Sequence, residues 1–151
     1  MNITTFLTEE SKSENRLNWN DYFINFALLT SLRSPSPKLK VGSVITKNNR
    51  IISTGYNGYP SNSPHQSINR DGHEINTIHA EQNAICFAAR SNISIENSTI
   101  YVTHYPCINC AKVIIASGIK TVYYLNDYKN DEVVTTLFLQ SGICVKKISY
   151  Q

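Results

Sequence analysis

Two short patterns carry residue types that can do chemistry: His79-Ala80-Glu81 and Pro106-Cys107-Ile108-Asn109-Cys110. One imidazole and two thiolates are the nitrogen and sulfur donors that zinc takes in tetrahedral sites, and a catalytic zinc keeps its fourth position for water. A Cys-x-x-Cys pair at a helix start sets both sulfurs near unpaired backbone N–H groups, where the helix dipole favours the thiolate. Pro106 fits just ahead of that turn, where a missing N–H does little harm. Glu81 stands two residues after His79, so at helical spacing its carboxylate cannot share the imidazole's direction and is expected to reach toward the open position. The reading is one catalytic zinc on His79, Cys107 and Cys110, with Glu81 moving protons and not acting as a fourth ligand. Alone, neither pattern decides. His-x-Glu is a common surface pair, and Cys-x-x-Cys also serves structural zinc half-sites and redox pairs. A closed structural site would need a fourth ligand. The other two of the four cysteines, Cys86 and Cys144, have no partner at short spacing and read as buried core residues.

Both patterns must open helices if this chemistry is to work. Ala80 to Arg90 is Ala-rich and reads as one helix, and Cys107 to Ser117 reads as another with Gly118 as its stop. Upstream, Tyr22, Phe23, Phe26, Ala27, Leu29 and Leu32 recur at helical spacing behind an Asn18 N-cap and ahead of Ser34-Pro35. Val41 to Ile45 and Ile51 to Tyr56 are β-rich runs around Asn48-Asn49, a pair suited to a tight hairpin turn. Strands are expected at Thr99 to Thr103, Thr121 to Leu125 and Cys144 to Ile148, with a last helix from Asp131 to Ser141. The order α, β, β, α, β, α, β, α, β implies a five-stranded sheet with helices packed on it, an α/β fold. Residues 57–78 show no clear period and exceed the common connection length, so they read as a long functional or stapled loop. Residues 1–18 read as a loose polar arm and 19–151 as one domain.

Composition bounds the function classes. The chain has 151 residues, 14 Lys and Arg against 11 Asp and Glu, and a net charge of +3 without a long basic run. A polyanion binder would normally show more, but the excess suits a phosphate-bearing small molecule about as well as nucleic acid, so charge alone decides little. No stretch approaches the roughly 18 apolar residues of a membrane span, and no signal-peptide layout opens the chain, so a reducing, cytoplasmic location is expected.

Together the two patterns form the His-x-Glu and Pro-Cys-x-x-Cys signature of the zinc deaminases. The sequence resembles the deoxycytidylate (dCMP) deaminase family of the cytidine deaminase-like superfamily from about Trp19 to Ile148. The pieces that carry the resemblance are Leu32-Arg33-Ser34, Val41 to Ile45, Gly55-Tyr56-Asn57-Gly58, His79 to Ile85, Ile100 to Cys110 and Gly118 to Tyr124. The resemblance implies a three-layer α/β/α fold with a mixed sheet. It also implies hydrolysis of dCMP to dUMP and ammonia for thymidylate synthesis, by a homo-oligomer, often a hexamer. By the same resemblance Asn57 holds the nucleotide sugar, and Arg33 and Tyr128 lie near the phosphate. The backbone N–H of Ala80 meets the cytosine carbonyl, and Thr103 to Pro106 line the base pocket with His104 as a wall. Many members are activated by dCTP, carried with Mg2+, and inhibited by dTTP, with Tyr56 and Gly58 in the regulatory region.

One departure stands out. Related short members hold a second, structural zinc with cysteines and histidines of the long loop, whereas residues 57–78 here contain no cysteine. Only His65, His73 and Glu74 remain as candidate ligands. Rival readings are a deaminase acting on dCTP, free cytidine, tRNA adenosine or another base, and a non-catalytic zinc module. A module has no need of the carboxylate of Glu81, and a polymer reader needs basic and aromatic tracks that this sequence does not display.

Overall fold

The computed structural model describes residues 2–149, so Met1 of the arm and Tyr150 and Gln151 of the expected domain lie outside the described residues. Asn18 accepts the Asp21 N–H at 2.9 Å and opens a helix that runs from Trp19 to Ser31. Two strands follow, Gly42–Lys47 (β1) and Arg50–Tyr56 (β2). They join through Asn48 and Asn49, both at positive φ as the hairpin requires. Ahead of these, Ile3–Glu10 forms a helix (α1), so the Trp19–Ser31 helix is α2.

The chain then alternates: α3 (Ala80–Arg90), β5 (Thr99–His104), α4 (Ile108–Ala116), β6 (Thr121–Asn126), α5 (Glu132–Gln140) and β7 (Cys144–Lys147), after a short ribbon of β3 (Asn69–Arg70) and β4 (His73–Glu74). The main sheet has the order β2-β1-β5-β6-β7. β1 is antiparallel to both of its neighbours, while β5, β6 and β7 are parallel. Parallel neighbours need crossovers, which α4 and α5 supply. Gly118 and Gly142 end those two helices at positive φ, as expected of C-terminal stops.

Side-chain alternation along the strands separates two cores. Ile45, Ile100, Val102 and Val122 pack with Ala84, Ile85 and Ala88 of α3, Ala111 and Ile114 of α4, and Val134 and Phe138 of α5. Val44 and Tyr101 face the other way, onto Phe23, Ile24 and Ala27 of α2. The result is the expected three-layer α/β/α arrangement with a five-stranded mixed sheet.

Three local readings differ. The stretch read as a loose arm contains α1, whose N-cap Asn2 accepts the Thr4 N–H, although none of its residues is buried. Capping and side-chain bonds such as Thr8 to the Thr4 carbonyl hold a helix that the apolar period alone does not announce. The long loop carries the β3–β4 ribbon around Asp71-Gly72, both at positive φ. Its two-residue strands are too short for alternation to register, although Asp-Gly is a hairpin signal. Finally, Cys86 and Cys144 are exposed and not core residues. Cys86 lies on the solvent side of α3 and Cys144 in the edge strand β7, and an apolar reading of cysteine alone does not reveal that.

Candidate active site

His79 and Cys107 occupy equivalent positions as the N-caps of α3 and α4. An N-cap side chain ordinarily accepts a backbone N–H, as Asn18 does for α2 and Asp131 does for α5. His79 and Cys107 make no such bond, which leaves both side chains free for another partner. That partner space is shared: His79 Nδ1 is 3.5 Å from Cys107 Sγ and 3.3 Å from Cys110 Sγ. All three candidate ligand atoms lie within 4.8 Å of one another. A tetrahedral zinc with bonds of about 2.0–2.3 Å would hold nitrogen and sulfur donors about 3.5 Å apart, so the donor set and its spacing fit the metal.

Glu81, in the first turn of α3, is buried, and its Oε2 accepts from the Cys110 thiol at 3.5 Å. It is not one of the three groups close enough together to share an ion, which leaves a coordination direction open beside it. Burial raises the proton affinity of its carboxyl above the ordinary carboxylate value. The hydrogen bond with Cys107 raises that of His79. Cys107 is lowered to about 3, first by its hydrogen bond with Cys110, and the same bond together with burial pushes Cys110 up. A dication at this spot reverses the second effect, because zinc takes thiolates.

The two helix starts are held by the sheet. Ser43 of β1 donates to the Ala80 carbonyl at 2.8 Å and Ser53 of β2 to the Ala84 carbonyl at 2.6 Å. Asn83 donates to the Tyr56 carbonyl at 2.9 Å, fastening α3 to the end of β2. On the α4 side, Asn126 donates to the Thr103 carbonyl at 3.0 Å and its own carbonyl receives the Tyr105 N–H, fixing the turn into buried Pro106. Ser43, Ser53, Asn83 and Asn126 carry no local signal in the sequence, because their partners lie 23 to 37 residues away.

The remaining sequence-derived candidates are placed as follows. Asn57 ends the same β2 edge, with its amide accepting the Val41 N–H at 2.8 Å and donating to the Leu39 carbonyl at 2.9 Å. It braces residues 39–41, and one donor hydrogen and one lone pair remain for a ligand. Ser34 donates to the Asn57 carbonyl at 2.8 Å, which ties the position after exposed Arg33 to the same corner. Thr103 is fully buried, with its hydroxyl between Gly42 N and His104 Nδ1. Tyr128 is exposed and meets His104 edge to face at 5.9 Å. Gly58 exchanges both backbone hydrogen bonds with Ile78, closing the base of the long loop directly before His79. Tyr56 is half-buried beside it.

His65, His73 and Glu74 do not gather into a metal-holding group: His79, Cys107 and Cys110 form the one such cluster among the described residues. The Glu74 carboxylate is occupied by Ser67, Ile68 N–H and Asn76 N–H, and His65 stacks near Tyr59 at 5.5 Å. The Glu74 carboxylate thus ties the loop together through Ser67, Ile68 and Asn76.

The model of the cytidine and deoxycytidylate deaminase zinc-binding region matches residues 17–126, and the chain belongs to that family. Among relatives, ComE operon protein 2 of Bacillus subtilis is 43% identical over 137 residues, covering 88% of this chain and 72% of that protein. The deoxycytidylate deaminase of phage T4 is 37% identical over 151 residues, covering 72% of this chain and 78% of that protein. Among solved structures, the dCMP deaminase of cyanophage S-TIM5 in complex with dCMP and dUMP superposes with a TM-score of 0.80 at 34% identity, covering 89% of this chain and all of that one. Zinc is the metal of this family's binding region. No helix among the described residues is long and apolar enough to cross a membrane.

Proposed function

We propose that this chain hydrolyses dCMP to dUMP and ammonia, with zinc on His79, Cys107 and Cys110 and Glu81 as the proton carrier. The observation that carries the reading is a buried carboxyl beside, but outside, a three-donor metal cluster. A purely structural zinc has no use for it. Zinc, when bound, supplies the Lewis acidity that makes water a nucleophile near neutral pH. Glu81 takes one proton of the attacking water and delivers it to the ring nitrogen next to the amino-bearing carbon, then takes the second from the hydroxyl now on that carbon and passes it to the departing amine, leaving a carbonyl and ammonia. Burial raises its proton affinity, the direction that suits a group which must hold a proton between the two transfers. Ala80 N–H, at the first turn of α3 where backbone donors are unpaired, meets the base carbonyl. Asn57 holds the sugar and Arg33 and Tyr128 the phosphate, with Pro106 in the pocket wall.

The nucleotide reading is supported by relatives named deoxycytidylate deaminase and by the cyanophage complex. The product would supply thymidylate synthesis. Activation by dCTP with Mg2+ and inhibition by dTTP would act through Tyr56 and Gly58, whose bridge to Ile78 abuts His79. A homo-oligomer, a hexamer by resemblance, is supported by exposed Trp19, Tyr22, Leu29 and Leu32 along α2. A reducing, cytoplasmic compartment suits the free thiols. The test is parallel turnover of dCMP, dCTP, cytidine and adenosine by zinc-loaded protein. Preferential release of ammonia from dCMP supports the reading, and an inert dCMP with or without dCTP overturns it.

A further inference from the structure

β5 alternates between the two cores: Tyr101 faces α2, whereas Ile100 and Val102 face α3 and α4. His104 continues the parity of Ile100 and Val102 at the end of the strand, the parity of the sheet face on which α3 and α4 pack. Its hydrogen bonding is constrained from behind. Gly42 N–H donates to Thr103 Oγ1 at 3.1 Å, and that oxygen lies 2.9 Å from His104 Nδ1. Thr103 is fully buried, so its hydroxyl hydrogen needs an acceptor inside the protein, and His104 Nδ1 is the acceptor within reach among the described residues. Thr103 therefore donates, Nδ1 accepts, and the imidazole is held with its hydrogen on Nε2. Partial burial lowers the proton affinity of His104 below that of a free imidazole. On the outer side the ring meets Tyr128 at 5.9 Å, and Lys129 Nζ lies 5.5 Å from the Tyr128 ring. A fixed N–H, an aromatic ring and an ammonium thus lie next to one another where β5 ends and the chain leaves β6.

We infer that His104, locked by the Gly42–Thr103 relay as an Nε2–H donor, is a specificity residue that reads a phosphate oxygen of the nucleotide. The inference rests on the nucleotide-deaminase reading for its ligand, but not for its tautomer. An uncharged donor with a fixed hydrogen adds discrimination that a mobile cation such as Lys129 lacks, because only an acceptor at the right place is satisfied.

Two measurements test it. In 15N NMR of the imidazole, wild-type His104 should show hydrogen on Nε2, and Thr103→Val should release the preference while Thr103→Ser retains it. A wild-type signal with hydrogen on Nδ1 overturns the relay whatever the enzyme's activity. In kinetics, His104→Leu should lower kcat/KM for dCMP at least tenfold more than for deoxycytidine, with the loss falling on KM, and His104→Gln should recover most of it through its amide donor. An equal loss on both substrates overturns the phosphate role, as does a loss confined to kcat. Absence of dCMP turnover in the wild type would instead sink the deaminase reading and leave the NMR result standing.

Discussion

Gly55 in β2 lies so close to Ala80 in α3 that a Cβ built on it would stand 2.3 Å from the Ala80 carbonyl oxygen and 2.5 Å from the Ala84 nitrogen. Both obstacles are backbone, so they cannot turn aside. The absence of a side chain at Gly55 lets the first turn of α3 settle on the sheet, and that turn carries His79 at its cap and Glu81 within it. Gly55→Ala should therefore cost about 1–3 kcal/mol through overpacking. It should also reduce turnover beyond what the stability loss explains, because the helix start is displaced. Thermal unfolding and steady-state kinetics on the same preparation check both parts.

Removing a thiol should empty the metal site. Cys110→Ser is expected to bring zinc well below one per chain and abolish turnover, and Cys107→Ser should do the same. Metal analysis after dialysis checks this, and retention of a full equivalent by either variant would show that the ion is held elsewhere.

Ser53 offers a contrast, since it acts on α3 without touching the cluster. Its hydroxyl is buried and donates to the Ala84 carbonyl at 2.6 Å. Ser53→Ala should lower stability by about 0.5–1.5 kcal/mol, the usual net worth of such a bond. Zinc content should be unchanged. Denaturant melts with parallel metal analysis separate this support role from ligation.

The expected and observed folds agree where one residue pattern suffices. Asn48-Asn49, Gly118 and the β-rich runs of β1 and β2 signal turn, stop and strands locally, and His79, Cys107 and Cys110 gather as zinc chemistry demands of those types at those spacings. The supports carry no such local signal. Thr103 is tied through its hydroxyl to the Gly42 N–H, 61 residues away in sequence. The oxygens of Glu74 are held by Ser67, Ile68 N–H and Asn76 N–H. Such roles depend on chain segments that meet only after the sheet has formed.

The long loop has its own pH signature. The Glu74 carboxyl is held below its ordinary value of 4.5, first by its hydrogen bond with Ser67. A depressed carboxylate stabilises the state in which it is bonded above about pH 4.5, and that contribution is lost as the pH falls through the lower folded value. Hydrogen exchange of residues 66–76 should therefore show protection near pH 6 that fades below about pH 4.5. Glu74→Gln should already lack part of that protection at pH 6. A loop equally protected across this range would contradict the carboxylate's organising role.

The most direct test of the central claim is Glu81→Gln in zinc-loaded protein assayed with dCMP. The account predicts that zinc stays near one per chain while turnover falls by about 10²–10⁴-fold, the usual contribution of a positioned acid–base group. Turnover that survives the substitution, or zinc that leaves with the carboxylate, would contradict it: the first would deny Glu81 the proton transfers, and the second would make it a ligand.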